Sequence, residues 1–358
     1  MTLDAATERN LMPGSVLIRV PNWVGDAVMS VPALRAFRRI FLRSKVTLLA
    51  RPSVAGLFED EGLADDTILL SEAGGPIRRF LSDAGSIYRR RFELALLLPN
   101  SIGAALLARA GGVKRLAGYP TDGRGVLLDC AVPFETDYRA RHQVRYYSNI
   151  AAHIEESMTG STQIDLDAQP ELHIKDEQVR GAIELLENCG VNPSRPLLAV
   201  NPGATNSDAK RWLVERFAEA ADRLHASEGL QPVIVGTSSD RSIAEEVAAT
   251  MRTRPAILAG RTTITQVKAL LSCCSLLISN DTGAAHIAAA LQVPTVVIFG
   301  PTEHHSTRPM SDKAAIVRRD VECSPCMLRT CPIDHRCMTR VTVDDVLQTT
   351  KALLGSDC

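Results

Sequence analysis

Ser279-Asn280-Asp281-Thr282-Gly283-Ala284-Ala285-His286 sets a carboxylate among hydrogen-bond donors. Apolar Leu276 to Ile278 precede it and alanine-rich Ile287 to Leu291 follow, which predicts a buried strand, a sharp polar turn and a helix start. At such a start Thr282 and Gly283 present backbone N–H groups without intrahelical acceptors, at the positive end of the helix dipole. That is a site for phosphate. Asp281 would repel a phosphate, so its placement suits hydroxyl groups, as on a sugar. A sugar carried on a diphosphate is the ligand this pairing implies. His286 reads either as a buried residue of an Ala-rich helix or as a group supporting the site.

Two further segments have the same strand-then-polar-loop form. Asn201-Pro202-Gly203-Ala204-Thr205-Asn206 is followed by Lys210-Arg211-Trp212. Lys210 is a point charge for phosphate oxygens, and Thr205 and Asn206 can donate further hydrogen bonds. Two cations opening a helix are unfavourable by themselves, which points to an anion nearby. Pro21-Asn22-Trp23-Val24-Gly25-Asp26 follows the apolar run Val16–Val20. Gly25 permits close backbone approach, and Asp26 is either an N-cap or a general base. The loop lacks the G-x-G-x-x-G spacing of dinucleotide folds. Thr237 and Asp240, after another strand, are weaker candidates for contacting a ribose or base.

Cys323, Cys326, Cys331 and Cys337 have the spacing C-x2-C-x4-C-x5-C. Four thiolates, or three with His335, could form a structural zinc site. Reduced thiols or a disulfide are the alternatives, and the spacing fits neither common zinc fingers nor ferredoxins. Arg78, Arg79, Arg89, Arg90, Arg91, Arg139, Arg141, His142 and Arg145 form basic groups in the first half, read either as solvated helix faces or as contacts for an anionic ligand.

The elements that must position these residues alternate throughout. Val16–Val20, Val46–Ala50, Thr67–Leu70 and Leu94–Leu98 are predicted strands, with helices near 28–40, 53–60 and 77–91 between them. The pattern restarts at Leu197–Asn201, Val233–Gly236, Leu276–Ser279 and Thr295–Phe299, with helices near 213–226, 240–252, 264–272 and 283–291. Short strands apolar on both faces indicate parallel sheets covered by helices. At 358 residues two domains are expected. We expect an α/β chain of two Rossmann-like, doubly wound αβα domains facing across a cleft. The boundaries read as a disordered tail over 1–14, a first domain over 15–160 and a polar linker over 161–176. A second domain then spans 177–342, including the cysteine segment, and 343–358 forms a C-terminal helix.

Hydrophobic content of 45%, charged content of 23% and net charge −1 are those of an ordinary globular protein without a field for nucleic acid. Met1 to Asn10 has no apolar core, so no secretory signal is expected, and no run approaches the ~18–20 apolar residues that span a bilayer. Nine cysteines are too sparse for a secreted disulfide scaffold. A cytoplasmic location follows as an expectation.

Taken together, Pro21-Asn22-Trp23-Val24-Gly25-Asp26-Ala27-Val28-Met29-Ser30, Lys210-Arg211-Trp212 and Ser279-Asn280-Asp281-Thr282-Gly283 resemble the ADP-heptose:lipopolysaccharide heptosyltransferases, the family 9 glycosyltransferases. The Trp23-Val24-Gly25-Asp26 form is most similar to the heptosyltransferase II branch. The resemblance implies a GT-B fold and an inverting, metal-independent enzyme that moves heptose from ADP-heptose to the lipopolysaccharide inner core. It implies that Asp26 is the general base and that Lys210, with Thr205 and Asn206 nearby, neutralises the diphosphate. Thr282, Gly283 and Ala284 would bind that diphosphate and Asp281 would orient the heptose, with Gly25 and His286 in support. An anionic acceptor of Kdo and heptose on lipid A, with peripheral contact to the inner membrane, would account for the arginines. The cysteine segment has no role in the resemblance. Rival readings are heptosyltransferase I or another family 9 enzyme, a nucleotide-sugar epimerase, which needs no second acceptor, and a non-catalytic sensor, which needs no Asp26.

Overall fold

The computed structural model describes residues 12–205 and 207–355, which divide into two compact units between Pro170 and Glu171. Asn206, expected at the phosphate, lies outside the described residues, as does most of the predicted tail (residues 1–11). Pro13 and Gly14, expected in that tail, are instead tied into the first unit. The Gly14 N–H donates to Glu93 Oε2 at 2.6 Å, and Ser44 Oγ donates to the Pro13 carbonyl.

The first unit is one parallel sheet of six strands: β1 (Ser15–Arg19), β2 (Lys45–Ala50), β3 (Asp66–Leu69), β4 (Leu94–Leu97), β5 (Arg115–Gly118) and β6 (Cys130–Ala131). Their spatial order is β3-β2-β1-β4-β5-β6, and every pairing is parallel. Its helices are α1 (Val24–Met29), α2 (Val31–Ile40), α3 (Pro52–Ala55), α4 (Pro76–Tyr88), α5 (Ile102–Ala110) and α6 (Gln143–Thr159). Val16, Leu17 and Ile18 have no exposure, as expected for a central strand covered on both faces. The helix predicted over 28–40 is broken at Ser30. Pro32 has no N–H to give Val28, so the Ser30 amide closes α1 on the Asp26 carbonyl and the Leu34 amide opens α2 on the Ser30 carbonyl. Helix α2 buries Val31, Leu34 and Phe37 and packs on α6.

The second unit repeats the plan with β7 (Leu197–Asn201), β8 (Gln231–Ile234), β9 (Ala256–Ile257), β10 (Leu276–Asn280), β11 (Thr295–Ile298) and β12 (Ala314–Val317). The order is β12-β11-β10-β7-β8-β9, again parallel. Helices α7 (Asp176–Asn188), α8 (Val214–Glu228), α9 (Arg241–Thr250), α10 (Ile264–Ser272) and α11 (Gly283–Ala290) flank it. Two short helices, α12 (His304–Thr307) and α13 (Arg336–Thr339), precede α14 (Val343–Gly355), which packs on α8, β11 and β12. Trp212, only 1% exposed, stands edge-on to Phe217 and donates from Nε1 to the Val341 carbonyl at 3.0 Å. A doubly wound sheet has a crevice where its strand order reverses, and here the reversal falls between β7 and β10. Among the described residues no helix is long and apolar enough to cross a membrane.

Candidate functional site

In the first unit Asp26 does not cap its helix. Trp23 is the N-cap and Asp26 lies in the first turn of α1, with Gly25 before it. The Asp26 side chain is held from α6, where the Tyr147 hydroxyl donates to Oδ1 at 3.2 Å. Burial, then the neighbouring Asp26 charge, push the Tyr147 pKa well above its ordinary value, so this hydroxyl keeps its proton and acts as a donor. Sequence spacing gave no sign of Tyr147, 121 residues away from Asp26. Its only local signal is a place on the buried face of an amphipathic helix. Beneath the same loop, buried Arg19 donates to the Leu49 carbonyl at 3.2 Å and to Asn22 Oδ1. Burial lowers its pKa to about 10, which leaves it charged at neutral pH.

The basic groups of this unit do not form one set. Arg145 forks onto Glu135 with two 2.8 Å bonds and reaches Asp167 at 2.7 Å, and Arg90 pairs with Asp66 at 3.2 Å. Those two serve the fold. Arg78 and Arg79 sit in the first turn of α4, Arg78 exposed and Arg79 half-buried.

In the second unit the carboxyl ends of β7, β10 and β11 converge. Asp281, 8% exposed, accepts at Oδ2 from Lys210 Nζ and from Thr302 Oγ1, both at 2.8 Å. Lys210 ends the short 3-10 turn Asp208–Lys210, and Thr302 follows β11. Buried Asn280 accepts the Trp212 amide at 3.0 Å and donates to the carbonyls of Pro202 and Gly203 at 2.9 and 3.2 Å. Asn201 Nδ2 donates to Thr282 Oγ1 at 2.8 Å across the switch point. These bonds fix the two strand-end loops against each other. Thr282 is the N-cap of α11 with no side-chain capping bond of its own, so the amides of Gly283 and Ala284 open the helix as expected. His286 is buried at 5% exposure inside α11. Thr205 is exposed at the rim.

Asp240 lies deeper than a rim contact. It is 4% exposed, and its Oδ2 accepts from the Thr237 amide at 2.9 Å and the Thr237 hydroxyl at 2.6 Å. Its Oδ1 is buried without a hydrogen-bond partner among the described residues. Gly203 is required beside it, since a Cβ there would lie 2.2 Å from Asp240 Cγ. Asn201 and Asn280 stood in the strand-end segments without a role, and Thr302 was not singled out from sequence. The two Asn are strand-end polar residues, a signal that was available, whereas Thr302 had only its place after β11.

Cys323, Cys326, Cys331 and Cys337 are free thiols. The last is pushed up to about 11, first by burial and then by the other three cysteines. Among the described residues, the set of three ligand-type atoms within 4.8 Å of one another is Glu303, His304 and His305, not this cysteine group.

The model for glycosyltransferase family 9 (heptosyltransferase) matches residues 83–336. Lipopolysaccharide heptosyltransferase 2 of Salmonella typhimurium is 28% identical over 85% of this chain and 87% of its own length. Lipooligosaccharide heptosyltransferase 2 of Haemophilus ducreyi is 30% identical over 85% and 88%. The solved structure of E. coli ADP-heptose lps heptosyltransferase II superposes with a TM-score of 0.80 at 26% identity, covering 96% of this chain and 99% of that one. With two doubly wound units of the GT-B type and polar strand-end loops in each, the chain belongs to glycosyltransferase family 9, the heptosyltransferases.

Proposed function

We propose that this chain transfers a heptose from ADP-heptose to a lipopolysaccharide inner-core acceptor, as a heptosyltransferase II-type enzyme that inverts the anomeric centre without a catalytic metal. The observation that carries the reading is the arrangement at the β7–β10 switch point. There an aspartate, a lysine and an open helix start share one hydrogen-bonded frame. The Lys210 ammonium has three N–H groups, and its contact with Asp281 leaves capacity for a phosphate oxygen. With the amides of Thr282, Gly283 and Ala284, and Thr205 at the rim, it offsets charge that develops on departing ADP, and the sequence adds Asn206 to that set. Asp281, held by Lys210 and Thr302, orients the heptose. Exposed Thr237, held by buried Asp240, takes a ribose hydroxyl.

In the first unit Asp26 removes the proton from the attacking acceptor hydroxyl while Tyr147 keeps the carboxylate oriented. The acceptor oxygen forms its bond to the anomeric carbon as the bond to the ADP phosphate oxygen breaks. Arg78 and Arg79 recognise the anionic acceptor, and the chain works in the cytoplasm at the surface of the inner membrane. Cys323, Cys326, Cys331 and Cys337 enter only as a structural zinc candidate outside the chemistry, supported by their spacing. Purified protein free of stoichiometric zinc would remove that part. The deciding experiment is transfer from ADP-heptose to defined core acceptors carrying zero, one or two heptoses. Product is expected with the one-heptose acceptor, and release of altered nucleotide sugar without any acceptor would favour an epimerase instead.

A further inference from the structure

The cysteine-rich segment takes no part in the chemistry above, yet it touches both loops that hold the Asp281 carboxylate. It starts at Val321, which is buried, and ends at Cys337 and Met338, also buried, against Gly300. A Cβ on Gly300 would lie 2.3 Å from Met338 Sδ and 3.2 Å from Cys337 Sγ, so that anchorage is close-fitting. Between these ends the segment has no strand, and Met327, Leu328 and Ile333 are exposed. Its polar contacts run elsewhere.

On one side they reach the Lys210 turn. The Ala209 amide donates to the Arg329 carbonyl at 3.0 Å, and His335 Nε2 meets the Ala209 carbonyl at 2.7 Å. A carbonyl only accepts, so His335 carries its proton on Nε2. On the other side they reach the loop after β11. Ser324 Oγ donates to the Gly300 carbonyl at 2.6 Å, and the amides of Cys326 and Met327 donate to the Pro301 carbonyl at 3.0 and 2.9 Å. Ala209 is the neighbour of Lys210, and Pro301 is the neighbour of Thr302. The side chains of those two neighbours meet on one oxygen, Asp281 Oδ2.

We infer that residues 321–338 form a brace that sets Lys210 and Thr302 against Asp281, with His335 and Ser324 as its positioning residues. The inference rests on the donor-site reading above. His335 is itself held. It precedes α13, whose Met338 amide returns to the His335 carbonyl at 2.9 Å, and the adjoining Arg336 is paired with Asp334 and Glu322. Loss of the His335 contact would free the Ala209 carbonyl and let the Lys210 ammonium wander from the diphosphate position. A segment that merely covers the core would alter stability alone.

The test is ADP binding to the full chain by titration calorimetry, with melting temperature followed in parallel. Lys210→Ala should weaken ADP, and unchanged affinity there would defeat the donor-site reading itself. Given that loss, His335→Ala should weaken ADP by about threefold to tenfold, the scale of one lost hydrogen bond to a charged site's support. His335→Gln, which restores an N–H donor, should recover most of it. In the Lys210→Ala background, His335→Ala should add less than about twofold, because its effect acts through Lys210. An equal factor in both backgrounds, or a lowered melting temperature with unchanged ADP affinity, would overturn the brace while leaving the donor site intact. Should His335→Ala not fold, Ser324→Ala serves in its place, paired with Thr302→Val. Its loss of ADP affinity should vanish in the Thr302→Val background, and a persisting loss, or none in either background, overturns the brace.

Discussion

Asp26 and Asp281 are both carboxylates after a parallel strand, and their partners separate their roles. Asp281 sits against a cation, Lys210, and is nearly buried, so it is a fixed acceptor. Asp26 accepts from a neutral hydroxyl that burial keeps protonated, so the carboxylate is oriented while the proton stays on the tyrosine. We predict that Asp26→Asn lowers the transfer rate by about 10²–10⁴-fold, the usual worth of a general base. ADP affinity should stay within about twofold, and calorimetry beside a rate assay checks both. Tyr147→Phe should cost about 0.5–1.5 kcal/mol of Asp26 positioning, or roughly threefold to tenfold in rate. Because the Tyr147 pKa is raised, the hydroxyl is protonated throughout the neutral range and should contribute no limb to a pH–rate profile between about 6 and 9. A limb in that range that disappears in Tyr147→Phe would contradict this. Asp26 and Lys210 were singled out by residue type and place, whereas Tyr147 was not, because nothing local marks which core-facing tyrosine reaches a loop.

At the scale of elements, strand order decides where the loops after β7 and β10 meet. Asn201 and Thr282 belong to β7 and to the turn after β10, 81 residues apart, and pair because β10 is inserted directly beside β7. Gly203 is the tightest point of that meeting. Gly203→Ala should push Asp240 aside and cost about 1–3 kcal/mol by overpacking. A denaturant midpoint unchanged from the parent chain would show that the loop yields without strain. The long central strands were readable because Val, Leu and Ile dominate them, with few polar residues between. Strand β5 and the edge strands β6, β9 and β12 went unpredicted, since Arg115–Gly118 is short with no β-branched residue, Ala314–Val317 is only four residues long, and two-residue strands carry no period at all. Helices α5, α6 and α7 were missed too. Ile102–Ala110 is apolar on too many sides to show one face, and Asp176–Asn188 begins within the stretch read as linker.

At the scale of the whole molecule, each unit has its own sheet and core, so a nucleotide bound to one should protect that one. We predict that ADP at about 100 times its Kd stabilises the second unit by about 2.7 kcal/mol. Amide hydrogen exchange should slow around 200–210, 236–240, 280–286 and 300–302. Protection confined to residues 22–30 would place the nucleotide in the first unit and overturn the assignment. Sequence alone determined that this chain builds two parallel αβα units, and which strand ends carry polar loops. Burial on both faces of a strand and on one face of a helix is a local periodicity, written in neighbouring residues. Only the tertiary structure decided that Lys210 and Thr302 share Asp281, that Tyr147 donates to Asp26, and that the cysteine segment grips the two loops that meet on Asp281. Those contacts join residues from 21 to 126 positions apart. They depend on which strands lie side by side, a choice made by the packing of the whole sheet and carried by no single stretch of the chain.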